Sequence, residues 1–361
     1  MIPPAPRRGR ARCRLRQHFA ARVRRLLPGW CILLLAPLAG RAGEMRRYDF
    51  SGPGMGTQFR IAAWASPSRE ASLQTAVDEA FARLAALNTV FSDYEPGSEI
   101  NRLCAAAPQP FTASSDLINL TSRALSIAAA TDGAFDPAAG ALTRLWRSTR
   151  RRHRLPPEDR VKLAVKNSGH RWVKLDETSG TITVTRPGVL LDFGGIAKGA
   201  AADAMLEILR ERGFPRALAQ AGGDTAAGEP PPGEDGWRVG LRTGLEPVSD
   251  QDETGTFLSL VNAAVSTSGD LHQFIEIDGR RFSHLIDPRT GEPLSRRIAV
   301  TVVARSATES DAWATALAVL GPERTDAAVD AGVNARWTWL DETGRVLHQT
   351  RRGDPGLPLP E

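Results

Sequence analysis

The chain has 361 residues, 42% of them hydrophobic, enough to bury one large core or two small ones and unlike a disordered or fibrous composition. Its formal net charge of +5 invites a nucleic-acid reading, but residues 1–42 hold ten arginines and no acid, and taking that +10 from +5 leaves −5 for the remainder. The main support for a nucleic-acid partner is thereby lost, and none is expected.

Residues 1–42 have the three parts of an export signal: an arginine-rich start, an apolar run from Trp30 to Ala39, and small residues at Gly40 and Ala42. Removal of this leader and a periplasmic location are expected. An uncleaved anchor associated with the inner membrane is the other reading, although the run is about ten residues where a span needs roughly twenty. Arg24-Arg25 leaves the export route open. Cys13 and Cys31 fall in the leader, so the mature chain keeps only Cys104, which excludes an internal disulfide and a thiolate metal cage. Asn101-Arg102-Leu103-Cys104 reads as the end of a short helix with a half-buried thiol rather than as a nucleophile.

Next in the chain, Tyr48–Phe50 and Gln58–Ala63 have strand character and flank a glycine-rich turn, Gly52–Thr57. Helical spacing of apolar residues predicts helices over 68–90 (Leu73, Val77, Phe81, Leu84, Leu87) and 114–131 (Leu117, Leu120, Leu125, Ile127). Arg150–Ser168, basic and with Pro156-Pro157, reads as a surface excursion. Strands are expected at Trp172–Leu175, Thr181–Thr185 and, buried, at Val189–Asp192, followed by a helix from Ala200 to Arg212. Glu229–Gly236 is a loop. The last third mixes strands (Trp237–Leu241, Phe257–Ser259, Phe274–Ile277, Ile298–Val303) with a helix from Thr308 to Leu320. Strands and helices without regular alternation predict an α+β fold.

Five segments join glycine or small residues to charged or hydroxyl groups where the chain changes element, which lets backbone approach a ligand closely. Gly54-Met55-Gly56-Thr57 alone is a turn. In Thr131–Pro137, Asp136 before proline serves to cap or turn the chain as readily as to meet a ligand. Leu191-Asp-Phe-Gly-Gly-Ile-Ala-Lys-Gly199 ends a run in a carboxylate, exposes backbone at two glycines and opens a helix with Lys198, an arrangement that suits phosphate; a packing turn is its plainer reading. It is neither a Walker loop nor a dinucleotide-binding glycine pattern. Ser266-Thr-Ser-Gly-Asp270 and Phe282-Ser-His-Leu-Ile-Asp-Pro-Arg-Thr-Gly291 crowd hydroxyl, carboxylate and Arg groups around His284, able to orient an imidazole or bind a pyrophosphate. No serine-hydrolase elbow accompanies the serines. Finally, in Glu309–Ala316, Asp311 and Thr315 lie four apart on a helix and can offer oxygen to one hard cation, with backbone oxygens of the Gly194-Gly195 turn completing the set; a dipole-complementing helical Asp is the alternative.

In this order the five segments resemble the ApbE family of FAD:protein FMN transferases, from about Tyr48 to Gly321. The resemblance implies a T-fold-like α+β architecture, a single catalytic domain (45–350) with mixed or antiparallel sheets and flanking helices, and a tail at 351–361. It further implies a Mg²⁺-dependent enzyme that takes FAD as substrate and passes FMN to a threonine of an exported flavoprotein subunit of a redox complex, one carrying a Ser/Thr flavinylation motif. By position, Asp311, Thr315 and the Gly195 carbonyl match the family's metal ligands. Met55, Tyr94, Ala134, Phe135, Asp136, Asp192, Lys198 and Ile286 match its flavin-dinucleotide contacts. His284 matches the histidine near the reacting phosphate, with His284 or Asp311 as proton acceptor. The sequence departs from the family at Ala200 and Leu271, where aromatics are usual, and at Ser310. Some relatives hydrolyse FAD instead, and a flavin-binding assembly protein without catalysis is a third possibility; the presence of Asp192, His284, Asp311 and Thr315 argues against the last.

Overall fold

The structure, a computed structural model, describes residues 44–241, 245, 257–270 and 273–360; the expected leader and Leu271 lie outside them. Met55 and Gly56 both have positive φ, 45° and 73°, the pairing that closes a two-residue hairpin with the twist of its strands. They join β1 (Arg46–Gly54) to β2 (Thr57–Ala65), so the expected six-residue turn is only two residues long. Gly52 and Gly54 are strand residues. They lack side chains because Phe81 and Leu84 lie against them: a Cβ would fall 2.8 Å from the Phe81 ring and 2.5 Å from a Leu84 methyl.

The chain continues through α1 (Glu70–Phe91), α2 (Glu99–Ala105), β3 (Phe111–Thr112), α3 (Ser115–Ala130), α4 (Gly140–Arg152) and α5 (Glu158–Lys166). Next come β4 (Val173–Asp176), β5 (Thr181–Val184), α6 (Ala197–Glu211), β6 (Ala217–Ala221) and β7 (Asp224–Ala227), then the paired strands β8 (Trp237–Gly240) and β9 (Phe257–Leu260). After β10 (Ala263–Gly269) come the hairpin β11 (Phe274–Ile277) and β12 (Arg280–Ser283), β13 (Ile298–Ala304), α7 (Ala307–Leu320), α8 (Asp326–Asp330), β14 (Asn334–Leu340) and β15 (Val346–Arg351).

Eight strands form one sheet in the order β1-β2-β6-β7-β10-β13-β14-β15, antiparallel at every step. Side chains alternate across it. Phe59, Ile61 and Ala63, then Ala217, Ala219 and Ala221, then Ile298, Val300 and Val302 face the layer of α1, α6 and α7. Ala62, Ala263, Val265 and Val303 face the other way and are covered by Trp237, Leu258, Leu260 and Leu357. β13 is therefore buried along its whole length. The expected tail belongs to this cover: Arg351 is still in β15, and the Asn334 amide donates to the carbonyls of Asp354, Leu357 and Pro358 at 2.9–3.1 Å.

Two expectations are corrected. The stretch from Arg150 to Ser168 is not an excursion but the end of α4 and all of α5, on either side of Pro156-Pro157. The buried stripe of α4 rests on Leu142, Trp146 and Thr149 among five arginines, so its helical period is thin in apolar residues. Val189 and Leu191 are buried, yet Val189–Asp192 forms no strand and joins no sheet. Leu190 O accepts from Gly140 N at 2.9 Å, Asp192 N donates to Pro137 O at 2.8 Å, and Leu191 N donates to the half-buried Cys104 thiol at 3.2 Å. A continuous apolar run does not say whether its backbone partner is a strand or a loop.

The starts of α6 and α7 meet at Gly199, where a Cβ would overlap the Ala307 carbonyl oxygen. Asp203, one turn further along α6, accepts from the Ala307 and Thr308 backbone amides at 2.8 Å each and from the Thr308 hydroxyl at 2.6 Å, satisfying the free donors of α7. Gly199→Ala is expected to cost about 3 kcal/mol or more, because the obstacle is backbone; a denaturant midpoint equal to that of the wild type would contradict this.

Candidate functional site

Lys198 stands in the first turn of α6, immediately beyond the Gly194–Ile196 turn. Its ammonium lies 2.6 Å from an Asp224 oxygen at the start of β7 and 3.1 Å from an Asp311 oxygen on α7. Asp311 also accepts from Gly199 N at 3.1 Å and is 2% exposed. Two carboxylates thus share one ammonium, and with both ionised the cluster carries one uncompensated negative charge. Burial, then the neighbouring Asp224 charge, push the Asp311 carboxyl up to about 7, against the pull of Lys198. Burial disfavours the Lys198 ammonium too, but Asp311 and Asp224 outweigh it and hold its pKa above the ordinary lysine value.

Thr315, one turn after Asp311, faces the glycine turn: a Cβ on Gly195 would be 3.1 Å from Thr315 Oγ1 and 3.4 Å from the Phe135 ring. The Thr315 hydroxyl also meets Ser268 Oγ at 3.1 Å. The structure therefore brings Gly195, Phe135, Asp311, Thr315 and Lys198 together. The donor set is all oxygen and suits a hard cation, but it is sparse: no group of three or more His, Cys, Asp or Glu poised for a metal occurs among the described residues. A hard cation held there would need oxygens of a ligand to complete its shell.

Asp192 braces the other side of the turn. One oxygen accepts from Gly194 N at 2.7 Å; the other accepts from the Thr143 hydroxyl at 2.6 Å and from Arg147 of α4 at 2.8 Å. Arg147 also pairs with Asp93 and lies 4.3 Å over the ring of Tyr94, which is 72% exposed. Asp93 is raised by burial and by the nearby Asp192.

Asp136 is committed to its own loop. It accepts from Ala138 N at 2.8 Å and from His170 N at 2.7 Å, and it meets His170 Nδ1 at 3.0 Å, which raises the imidazole pKa. These bonds make Asp136 a residue that turns the chain, one of the two uses the sequence allowed. Ala134 and Phe135 are buried beside it, Met55 is half-buried at the hairpin tip, and Ile286 forms a bridge with Pro293. Ala200 lines a cleft of about 120 Å³ with Arg83, Asp116 and Thr308, on the helical side of the molecule.

His284 follows β12. Its backbone amide donates to Gln273 O at 2.8 Å, and its Nδ1 lies 3.1 Å from the same carbonyl. A carbonyl only accepts, so Nδ1 carries the proton and Nε2 is left as an acceptor. Burial, then the charge of Arg150, lower the imidazole to about 4, so it is neutral at physiological pH.

Asp224, Asp203 and Arg147 were not singled out by sequence, and Ser268 was named only within its segment, with no role at the Thr315 hydroxyl. Asp224 had a usable signal, since Gly222-Gly223-Asp224 repeats the glycine-plus-charge pattern of the other segments. For Arg147 and Asp203 the partners are 45 and 104 residues away, and no local pattern marks them.

An antiparallel sheet with a helical layer, carrying at the mouths of two helices an oxygen-lined and net negative cluster beside glycine backbone, defines an α+β protein equipped to meet a cation and an anionic ligand together. The chain belongs to the ApbE family, whose model matches residues 55–337. Relatives named FAD:protein FMN transferase include one from Klebsiella pneumoniae, 31% identical over 79% of this chain and 86% of its own length, and one from Treponema pallidum, 31% identical over 88% and 91%. Among solved structures, the flavin transferase ApbE from Vibrio cholerae superposes with a TM-score of 0.76 at 25% identity, covering 87% of this chain and 100% of that one. The apo flavinyl transferase ApbE of Pseudomonas stutzeri gives 0.75 at 27%, covering 86% and 96%.

The raised Asp311 has a stability consequence. Its folded pKa lies above its unfolded value, so its favourable contribution is complete below about 4 and is lost as pH rises through about 7. In chelator-treated protein, Asp311→Asn is expected to raise Tm by a few degrees at pH 8 and to lose that advantage by pH 5. Thermal melts at the two pH values check this, and a variant less stable than the wild type at pH 8 would contradict it.

Proposed function

We propose that the chain is an FAD:protein FMN transferase that moves FMN from FAD to a threonine hydroxyl of an exported flavoprotein subunit, releasing AMP. The observation that carries the reading is the cluster itself: Asp311 and Thr315 one helical turn apart, Thr315 against Gly195, and two carboxylates for one ammonium. Asp311, Thr315 and the Gly195 carbonyl are the proposed Mg²⁺ ligands, with diphosphate oxygens completing the coordination. When bound, the ion supplies charge neutralisation at the diphosphate. Met55, Tyr94, Ala134, Phe135, Asp136, Asp192, Lys198 and Ile286 are proposed to line the flavin-dinucleotide site, with Lys198 near the phosphates. The expected leader is proposed to export the enzyme to the periplasm, where its acceptors reside; no described helix is long and apolar enough to cross a membrane.

In the transfer, the acceptor hydroxyl oxygen bonds to the FMN phosphorus and the bond from that phosphorus to the bridging oxygen breaks, so AMP leaves with the electron pair. His284 Nε2 receives the hydroxyl proton. With a pKa of about 4 it is a weak base, so positioning and electrostatics at the diphosphate provide most of the catalysis.

Full-length protein incubated with FAD, Mg²⁺ and an acceptor domain is expected to yield AMP and a fluorescent acceptor band. AMP with free FMN would instead indicate a hydrolase, and neither product a binder. Asp311→Ala is expected to abolish turnover, and His284→Ala to lower kcat about 100-fold while FAD still binds. The His284-dependent limb of the pH profile should fall near pH 4, not near 6.5; unchanged rates in both variants would sink the assignments.

A further inference from the structure

α4 places Arg144, Arg147 and Arg150 three residues apart along one side. The first two are committed. Arg144 donates to the Asp93 carbonyl at 3.3 Å and to Asn101 Oδ1 at 2.9 Å, while Arg147 holds Asp93 and Asp192. Arg150 is half-buried and has no hydrogen-bond or carboxylate partner among the described residues.

Its position follows from its neighbours on the helix. Trp146, one turn earlier, stacks on Phe282 of β12 with centroids 5.7 Å apart, and its indole N–H donates to Gly291 O at 2.9 Å. Phe282 precedes His284 by two residues. The side of α4 that carries Trp146 thus faces the His284 segment, and the side that carries Arg147 faces Asp192. Arg150 comes four residues after Trp146 and three after Arg147, so it stands between the two. The electrostatics agree: Arg150 acts on His284, and its own pKa is lowered by burial and by Arg147. The charged groups acting on His284 are Arg150 from α4, Asp270 beyond the end of β10, and Lys198 from α6. A half-buried guanidinium beside a second guanidinium, with no anion on it, is an unfavourable arrangement that a bound anion relieves.

We propose that Arg150 is a further catalytic residue of the transfer: its guanidinium takes a non-bridging oxygen of the FAD diphosphate between His284 and Asp192 and holds the phosphate of AMP as it leaves. The planar fork of Arg suits two such oxygens, which lysine cannot match. This inference rests on the proposed function. The competing anion, an acidic side chain of the acceptor protein, is separated from it by the test.

Full-length wild type, R150M and R150K are titrated by flavin fluorescence with FAD and with riboflavin, which lacks phosphate, in the presence of Mg²⁺, and AMP release is followed with and without acceptor. R150M is expected to weaken FAD binding about tenfold or more and to leave riboflavin binding unchanged, with R150K intermediate. It is also expected to move the His284-dependent acid limb to higher pH, since one positive charge has left its surroundings. Unchanged FAD affinity and turnover in R150M would overturn the proposal. So would equal weakening of FAD and riboflavin, which marks a packing role, and so would a defect confined to acceptor affinity, which assigns Arg150 to the protein substrate. If the wild type itself binds no FAD, the parent reading fails with it; if only the variant behaves like wild type, this inference fails alone.

Discussion

One ammonium shared by two buried carboxylates is the interaction on which the rest of the site depends. Lys198 is contributed by α6, Asp224 by a strand in the middle of the sheet, and Asp311 by α7, so three elements distant in sequence are fixed at one point. The approach is possible only because Gly199 has no side chain to strike the Ala307 carbonyl, and because Asp203 satisfies the amides at the start of α7 at the same junction. The small residues beneath, Ala217, Ala219 and Ala221, let the helices settle close to the sheet. Packing and charge therefore specify the same geometry.

That geometry stores an imbalance. Two negative charges for one positive charge in a buried place are tolerated at a cost in stability, visible in the raised Asp311. The hydroxyls of Thr315 and Ser268 and the glycine turn add oxygen without adding charge. Across the site α4 brings Arg147 to Asp93 and Asp192 and Arg150 toward His284, whose pKa is lowered first by burial and then by the Arg150 charge. A carboxylate-rich cluster on one side and, on the other, an Arg150 guanidinium without a carboxylate among the described residues suit a ligand that is itself a cation–diphosphate pair, the form in which FAD is proposed to react.

Much of the scaffold was legible because its period is written in apolar residues. The observed α1 and α3 fall within two residues of the expected bounds, and β13 is announced by Ile298-Ala-Val-Thr-Val-Val303, in which β-branched residues dominate. α4 was not legible, since its arginines outnumber its anchors, and Val189–Asp192 misled because burial alone does not name a backbone partner. In the site, the i, i+4 relation of Asp311 and Thr315 could be read directly from a single helix. The contacts of Ser268 with Thr315 and of Asp224 with Lys198 could not, because they depend on where α7 crosses β10 and α6 crosses β7, 47 and 26 residues apart, which no local spacing encodes.

The central claim is that this cluster holds a cation against the diphosphate of the flavin nucleotide. Crystals of the Mn²⁺–FAD complex, measured at the manganese absorption edge, test it without recourse to turnover. The account predicts one anomalous peak within about 2.3 Å of oxygens from Asp311, Thr315 and the Gly195 carbonyl and of a phosphate oxygen. A peak away from Asp311, or bound FAD whose diphosphate lies at another face of the molecule, would contradict it.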